Sequence, residues 1–183
     1  MAAPSPGLLR TIRIIDTFTE WSGKTIAWMI IPMVVGVTWE VIARYGFNAP
    51  TLWAFDMTYM LYGSLFMLGA AYALLRGAHI RTDFFWEKFS DRTKGVIDAV
   101  AYVCFFFPAL LVLLWVGWGE FSHSFGLRET SEQTAWRPPI YPFKGVVPLA
   151  ALLLLIQGVS EFLKSLYAAR TGTALTKTEA IQI

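Results

Sequence analysis

The chain is 183 residues long, 56% hydrophobic, 16% aromatic and only 15% charged. One core of a soluble domain that size could not bury so many apolar side chains, so composition excludes an ordinary water-soluble protein. The net charge of +2 decides little; the places where charge is absent decide more. Thr25–Trp39, Met57–Leu75, Ala99–Gly119 and Gly145–Ser160 carry no charged residue. Each reaches the roughly 20 residues that a bilayer core about 30 Å thick requires once a flanking turn containing Glu40, Asp56, Asp98 or Glu161 is added. The predicted fold class is all-α: an integral membrane protein with four transmembrane helices plus short interfacial amphipathic helices, as one membrane domain over residues 1–183.

Ahead of the first run, Leu8, Leu9, Ile12, Ile15 and Phe18 recur at helical spacing with Arg10, Arg13, Asp16 and Glu20 between them. This predicts a helix over 8–21 that lies in the membrane interface and anchors rather than spans. The first transmembrane helix is expected over 25–47, bent by Pro32, which lacks a backbone donor, and closed by the turn Asn48, Ala49, Pro50. The second, over 51–75, carries Gly63, Ser64, Gly69, Ala70, Ala71 and Ala73, small residues that let another helix approach closely. In the loop that follows, HIRTDFFWEKFSDRTKG, Ile80, Phe84, Phe85 and Phe89 stand among charges. A short interfacial helix is expected over 80–90, with Trp86 at headgroup depth.

The third span, over 93–121, contains Pro108 and the run Phe105, Phe106, Phe107, and its end, WVGWGEF, is aromatic in the manner of interface belts. The next loop is too short for a domain. Its close, Trp136 to Pro142, has prolines at 138, 139 and 142 and is expected to be extended and stiff. The fourth span, over 143–167, leads to a polar tail, 168–183, expected to be mobile. The sequence contains no internal repeat and no low-complexity segment.

With four spans both termini share a side with the loop from Arg76 to Lys94. That side holds Arg10, Arg13, Lys24, Arg76, Arg81, Lys88, Arg92, Lys94, Lys164, Arg170 and Lys177, eleven of the fifteen cationic residues. The positive-inside rule places both termini in the cytoplasm and the loop from Glu120 to Lys144 outside. The first apolar run is too long for a signal-peptide core and is expected to be retained as a span. Cys104, the single cysteine, falls within the third span and reads as a small packing residue, and no disulfide can form within the chain.

Catalytic constellations are missing: the sequence has no HExxH or CxxC spacing, no phosphate-cradling glycine loop and no nucleophile elbow. No enzyme activity, cofactor, bound metal or nucleic-acid partner is expected. His79 and His123 fall on opposite sides of the membrane and cannot jointly ligate a haem iron. Glu40 is costly in a span unless paired or protonated. It reads either as part of a structural ion network with Arg44, four residues on, and Asp56, or as a group for coupling or ion passage. Arg76, His79, Arg81 and Asp83 crowd one end of the second span, as headgroup anchors or as contacts for a partner protein. Gln157, Glu161 and Lys164 share a helix face, with an expected Glu161–Lys164 pair and a hydrogen bond from Gln157 to a neighbouring helix. So few buried polar groups, without broken helices or inverted repeats, favour a helper over a self-sufficient pump.

The stretch Arg44, Tyr45, Gly46, Phe47, Asn48, Ala49, Pro50, Thr51, Leu52, Trp53, Ala54, Phe55, Asp56 resembles the corner between helices 1 and 2 in the small membrane subunit of tripartite ATP-independent periplasmic (TRAP) transporters. The stretch from Leu68 to Asp83, LGAAYALLRGAHIRTD, is similar to that family's segment at the end of helix 2. With the four spans, the resemblance covers about Trp21 to Leu166. Asp56 departs from it, a shorter acid where the family favours glutamate. The resemblance implies sodium-driven uptake of an organic acid across the bacterial inner membrane, with this subunit as a stationary scaffold. A large membrane subunit would hold the substrate and sodium sites, a periplasmic substrate-binding protein would deliver the substrate, and membrane lipids would fill the seams. On that reading Gly63, Gly69, Ala73, Arg76, His79, Arg81 and Asp83 would contact the large subunit. Glu40, Arg44 and Asp56 would fix the corner, and Arg128, Glu129, Glu132 and Arg137 would touch the docked binding protein. The competing expectations are a small homo-oligomeric transporter using Glu40 and a membrane anchor for a cytoplasmic enzyme.

Overall fold

The computed structural model describes residues 5–77, 89–173 and 175. Seven α-helices occupy them: α1 Pro6–Ala27, α2 Ile30–Val41, α3 Ala54–Leu75, α4 Asp91–Ala101, α5 Phe107–Leu127, α6 Tyr141–Lys144 and α7 Val146–Thr171. Two π-helical turns interrupt them, Ile42–Gly46 after α2 and Tyr102–Phe106 between α4 and α5. Together they make four segments long and apolar enough to cross a membrane: Pro6–Gly46, Ala54–Leu75, Asp91–Leu127 and Tyr141–Thr171.

The first segment is helical almost throughout, α1 passing through the turn at 28–29 into α2. Ser5 caps it, its hydroxyl accepting from the Leu8 amide, and Pro6 takes the first helical position, where a missing N–H costs nothing. Pro32 leaves the Trp28 carbonyl without its usual donor, and the chain tightens there to i→i+3 bonds, with the Ile31 amide reaching the Trp28 carbonyl at 3.2 Å. Forty-one residues of helix measure about 60 Å, twice a hydrocarbon core, so part of the segment must lie beyond it or be steeply tilted. A similar cause acts in the third segment. Pro108 has no N–H for the Cys104 carbonyl, and the turn containing Cys104 widens to a π-helix.

Helix α7 is the hub. It packs against α1, α3, α4 and α5, whereas α2 packs on α3. The core is Leu68 and Ala71 of α3 against Ala150 and Leu153 of α7, with Ile26, Met67, Val146 and Leu154 around them. Glycines set the separations. A Cβ at Gly95 of α4 would stand 2.5 Å from the Ala169 amide nitrogen and 2.6 Å from the Ser165 carbonyl oxygen, so the α4 and α7 backbones touch. At Gly158 and Gly23 it would stand 2.5 Å from the rings of Phe106 and Tyr72.

The stiff extended stretch expected through Pro142 ends sooner. Pro142 belongs to the first turn of α6, where its ring is preorganised for helix, so the fourth segment starts at Tyr141. It runs on to Thr171 and stops at Gly172, whose φ of +74° suits a residue without a Cβ.

Candidate functional site

Polar side chains gather in three places on this apolar frame. At the end of the bundle formed by residues 47–53 and 128–140, the Glu40 carboxylate closes the corner between the first two spans. Its Oε1 accepts from Arg44 Nε at 2.8 Å and from Arg44 Nη2. Its Oε2 accepts from the Thr51 amide at 2.9 Å and from the Thr51 hydroxyl. Both oxygens are thus engaged by the chain that follows, and the Ala49 amide donates to the Ala43 carbonyl at 2.9 Å to finish the turn.

Asp56 does not join this pair. Its carboxylate, fully buried in the first turn of α3, accepts from the Ser131 hydroxyl at 2.6 Å and from the Thr134 hydroxyl. Its partners are hydroxyls of the loop between α5 and α6 rather than the Arg44 guanidinium, and it sits in the first turn, where the α3 dipole favours an anion. Each hydroxyl in turn accepts from an amide two residues on: Gln133 N to Ser131 Oγ at 3.2 Å and Trp136 N to Thr134 Oγ1 at 3.3 Å. The loop closes on itself through Ser131 N to the Pro138 carbonyl at 2.7 Å and Ile140 N to the Glu129 carbonyl at 3.0 Å. At its base Lys144 lies 2.6 Å from Glu129 and 3.9 Å from Glu120. The Lys144 hydrogen bond holds the Glu129 carboxyl below the usual glutamate range.

The third cluster joins α1 to α7 near the opposite end. Asp16 Oδ1 accepts from Gln157 Nε2 at 3.1 Å and Ser160 Oγ at 2.7 Å, and Oδ2 accepts from Lys164 Nζ at 2.7 Å. Glu161 Oε1 accepts from the same Lys164 at 2.8 Å and from Gln157 Nε2 at 3.0 Å. Gln157 and Ser160 are fully buried. Turning the Gln157 amide over would aim its carbonyl at two carboxylates, so its N–H groups face them and Oε1 is left buried without a partner. One helical turn beyond Asp16, Glu20 takes a hydrogen bond from Arg76 Nη2 at 3.3 Å, while Arg76 Nε donates to Tyr72 OH at 2.9 Å.

Several expected contact residues are therefore engaged inside the chain. Gly63 faces the Phe143 ring, 2.8 Å from where a Cβ would stand, Arg76 ties α3 to α1, and Glu129 is paired with Lys144. Gly69 has nothing within 4 Å of a Cβ, and Ala73 lies on the same face as Gly69 and exposed Phe66, half-buried. Arg128, Glu132 and Arg137 are exposed. His79, Arg81, Asp83 and most of the expected interfacial helix over 80–90 lie outside the described residues. Asp16, Ser131 and Thr134 were not singled out from sequence as site residues. Asp16 was signalled by its place on the stripe with Ile12 and Thr19, a carboxylate on the face that is buried; the two hydroxyls carry no local signal.

No group of three or more His, Cys, Asp or Glu side chains among the described residues is arranged to hold a metal ion. The clusters join helix to helix and loop to helix, which is what a subunit of a multi-pass membrane protein uses to hold its shape. The family model for the DctQ component of tripartite ATP-independent periplasmic transporters matches residues 33–167, and the chain belongs to that family. Over 66 residues it is 24% identical to the sialic acid TRAP transporter small permease protein SiaQ of Vibrio cholerae, covering 36% of this chain and 38% of that one. Over 99 residues it is 24% identical to the sialic acid TRAP transporter permease protein SiaT of Haemophilus influenzae, covering 52% of this chain and 16% of the other. The chain thus spans well under two thirds of the length of either relative. No solved structure matches it significantly. It is a multi-pass protein of the bacterial inner membrane and a transporter component.

Proposed function

We propose that this chain is the stationary scaffold of a TRAP-type secondary transporter, held against a large membrane subunit whose transport part moves during sodium-driven uptake of an organic acid. A soluble periplasmic binding protein delivers that acid. The observation that carries the reading is the family match over 33–167 laid on a four-span body that covers little of itself. Of the most apolar window in each segment, 39% is buried within the fourth but only 6% within the third and 11% within the first. Lipid or a partner must cover the rest.

Both termini lie in the cytoplasm on this reading, with the eleven-cation side inward and the 128–140 loop outward. The face of α3 that carries Phe55, Tyr62 and Phe66, and continues as Gly69 and Ala73, is the contact with the large subunit, a ridge of rings leading into a notch of small residues. Glu40 argues against the homo-oligomeric alternative, because both its oxygens already hold Arg44 and Thr51 and leave no acceptor for a coupling ion.

Purifying the tagged chain in mild detergent from its native host and identifying what accompanies it by mass spectrometry tests the proposal. A much larger multi-span protein is expected in equal amount; a defined homo-oligomer of this chain alone would refute it.

A further inference from the structure

We propose that the polar knot between α1 and α7 is a binding site for one small monovalent cation, sodium by its chemistry, taken up beside the Gln157 carbonyl and held with Asp16, Ser160 and Glu161. An ion there belongs to this chain's own framework and locks α1 to α7, apart from the sodium sites expected on the large subunit.

Two observations point to a ligand. The first is an acceptor with nothing to accept. Gln157 is fully buried, its Nε2 is committed to Asp16 Oδ1 at 3.1 Å and Glu161 Oε1 at 3.0 Å, and its Oε1 is left buried without a partner. Such a carbonyl gives up its hydration on folding and gains nothing in return. The amide cannot relieve this by turning over, because Oε1 would then meet both carboxylates. The second observation is charge. Within this ring of hydrogen bonds Asp16 and Glu161 close around a single ammonium, Lys164, at 2.7 Å and 2.8 Å, so two negative charges face one positive charge. None of the three side chains is more than one-fifth exposed, and an excess charge so far out of water calls for a counter-charge.

The donors select the ion. A water molecule would satisfy Oε1 and leave the charge; a cation answers both. Carboxylate, amide carbonyl and hydroxyl oxygens are the ligands of hard cations, not of metals that seek thiolate or imidazole. One unit of charge is in excess, so a monovalent ion balances the ring and a divalent ion overshoots it. Oε1 and Nε2 belong to one planar amide, so an ion on Oε1 lies beside the two carboxylates while Nε2 keeps its bonds to them. Ser160 Oγ, fully buried 2.7 Å from Asp16 Oδ1, has a lone pair to add. Full burial of Gln157 and Ser160 admits a small ion and shuts out an organic ammonium.

The test is thermal unfolding of the full chain, purified by itself in mild detergent, with sodium exchanged for choline at constant ionic strength. Sodium is expected to raise the midpoint with the logarithm of its concentration, and potassium, a larger ion, should do less. Asp16→Asn removes the excess charge, and Gln157→Lys carries a tethered ammonium into the ring; both should abolish the sodium response. Gln157→Lys should also melt in choline about where the wild type melts in sodium. Ser160→Ala, which subtracts one ligand, should raise the sodium concentration needed for half the effect by about tenfold. A wild-type midpoint equal in sodium and choline would leave Oε1 to a water molecule and overturn the site. So would a rise produced equally by every salt, which marks general screening, or a sodium response that survives in both Asp16→Asn and Gln157→Lys.

Discussion

Gly95→Ala adds one methyl group where the α4 and α7 backbones approach closely, and two opposed effects decide its outcome. In a helix interior alanine is favoured over glycine by about 1 kcal/mol, so α4 alone would gain. Against this, the new Cβ would lie 2.5 Å from the Ala169 amide nitrogen, 2.6 Å from the Ser165 carbonyl oxygen and 3.0 Å from the Ala168 carbonyl carbon. That leaves it about 0.9 Å short of ordinary contact distance, and the obstacles are backbone atoms of α7 that no rotamer change can move. Overpacking costs about 1–3 kcal/mol, and a clash with backbone on two adjacent turns belongs at the upper end. The net expectation is a loss of about 1–2 kcal/mol, read as a thermal midpoint about 3–6 °C lower for the subunit in detergent. Gly69→Ala is the matched control, since nothing lies within 4 Å of its Cβ, and the same propensity term should leave the midpoint unchanged or slightly higher. If Gly95→Ala melts at or above the wild type, the close α4–α7 approach is wrong, and with it the account of how the third span is held to the fourth.

Asp16→Ala removes the acceptor shared by Gln157, Ser160 and Lys164; because Lys164 keeps Glu161, thermal unfolding should register a loss of about 2–3 kcal/mol, below that of a fully broken buried pair. Glu40→Gln weakens the clasp on Arg44 and Thr51 and should cost about 1–2 kcal/mol while the assembled transporter still takes up substrate, whereas abolished uptake with unchanged stability would assign Glu40 to coupling. The Glu129–Lys144 pair sets an acid limit on the loop. Because the folded carboxyl lies below its ordinary value of 4.5, the pair's contribution is complete above about pH 4.5 and is lost as pH falls further through the folded value. Hydrogen exchange at the Ile140 amide should accelerate only in that acid range, and Glu129→Gln should remove the acid dependence.

The spans were legible because a membrane solvent writes its demand locally: long uncharged runs, four times over, each reaching about twenty residues with one flanking turn. The Glu40–Arg44 and Glu161–Lys164 contacts were legible for the same reason of proximity, since residues three or four apart share a helix face. Longer reaches were not. Asp56 meets Ser131 and Thr134, more than seventy residues away, and nothing in TSEQT distinguishes clamp hydroxyls from solvated ones. The glycines of the second span looked alike as packing notches, yet Gly63 is filled by Phe143 of this chain and Gly69 is open. The difference is set by which side of α3 the fourth span takes, a choice made by tertiary packing rather than by composition. Local chemistry misled at Pro142: a proline forbids the middle of a helix but suits its first turn, and only the position of Tyr141 tells the two apart.

The distribution of the polar contacts bears on the proposed scaffold role. Between its ends the bundle is joined largely by apolar and glycine contacts, which would let one helix slide along another at modest cost. Near the ends, directional hydrogen bonds prevent that sliding. Asp16 binds α1 to α7 and Glu20 binds α1 to α3 through Arg76, while at the opposite end Asp56 binds α3 to the α5–α6 loop and Lys144 binds that loop to its own base. A shift of α3 by one helical turn, about 5.4 Å, would break the clamps at both of its ends at once. A body tied in this way suits a fixed partner against which another subunit moves, and it predicts that cutting both α3 clamps, with Arg76→Ala at one end and Ser131→Ala plus Thr134→Val at the other, will lower the thermal midpoint in detergent by more than the sum of the changes made at each end alone.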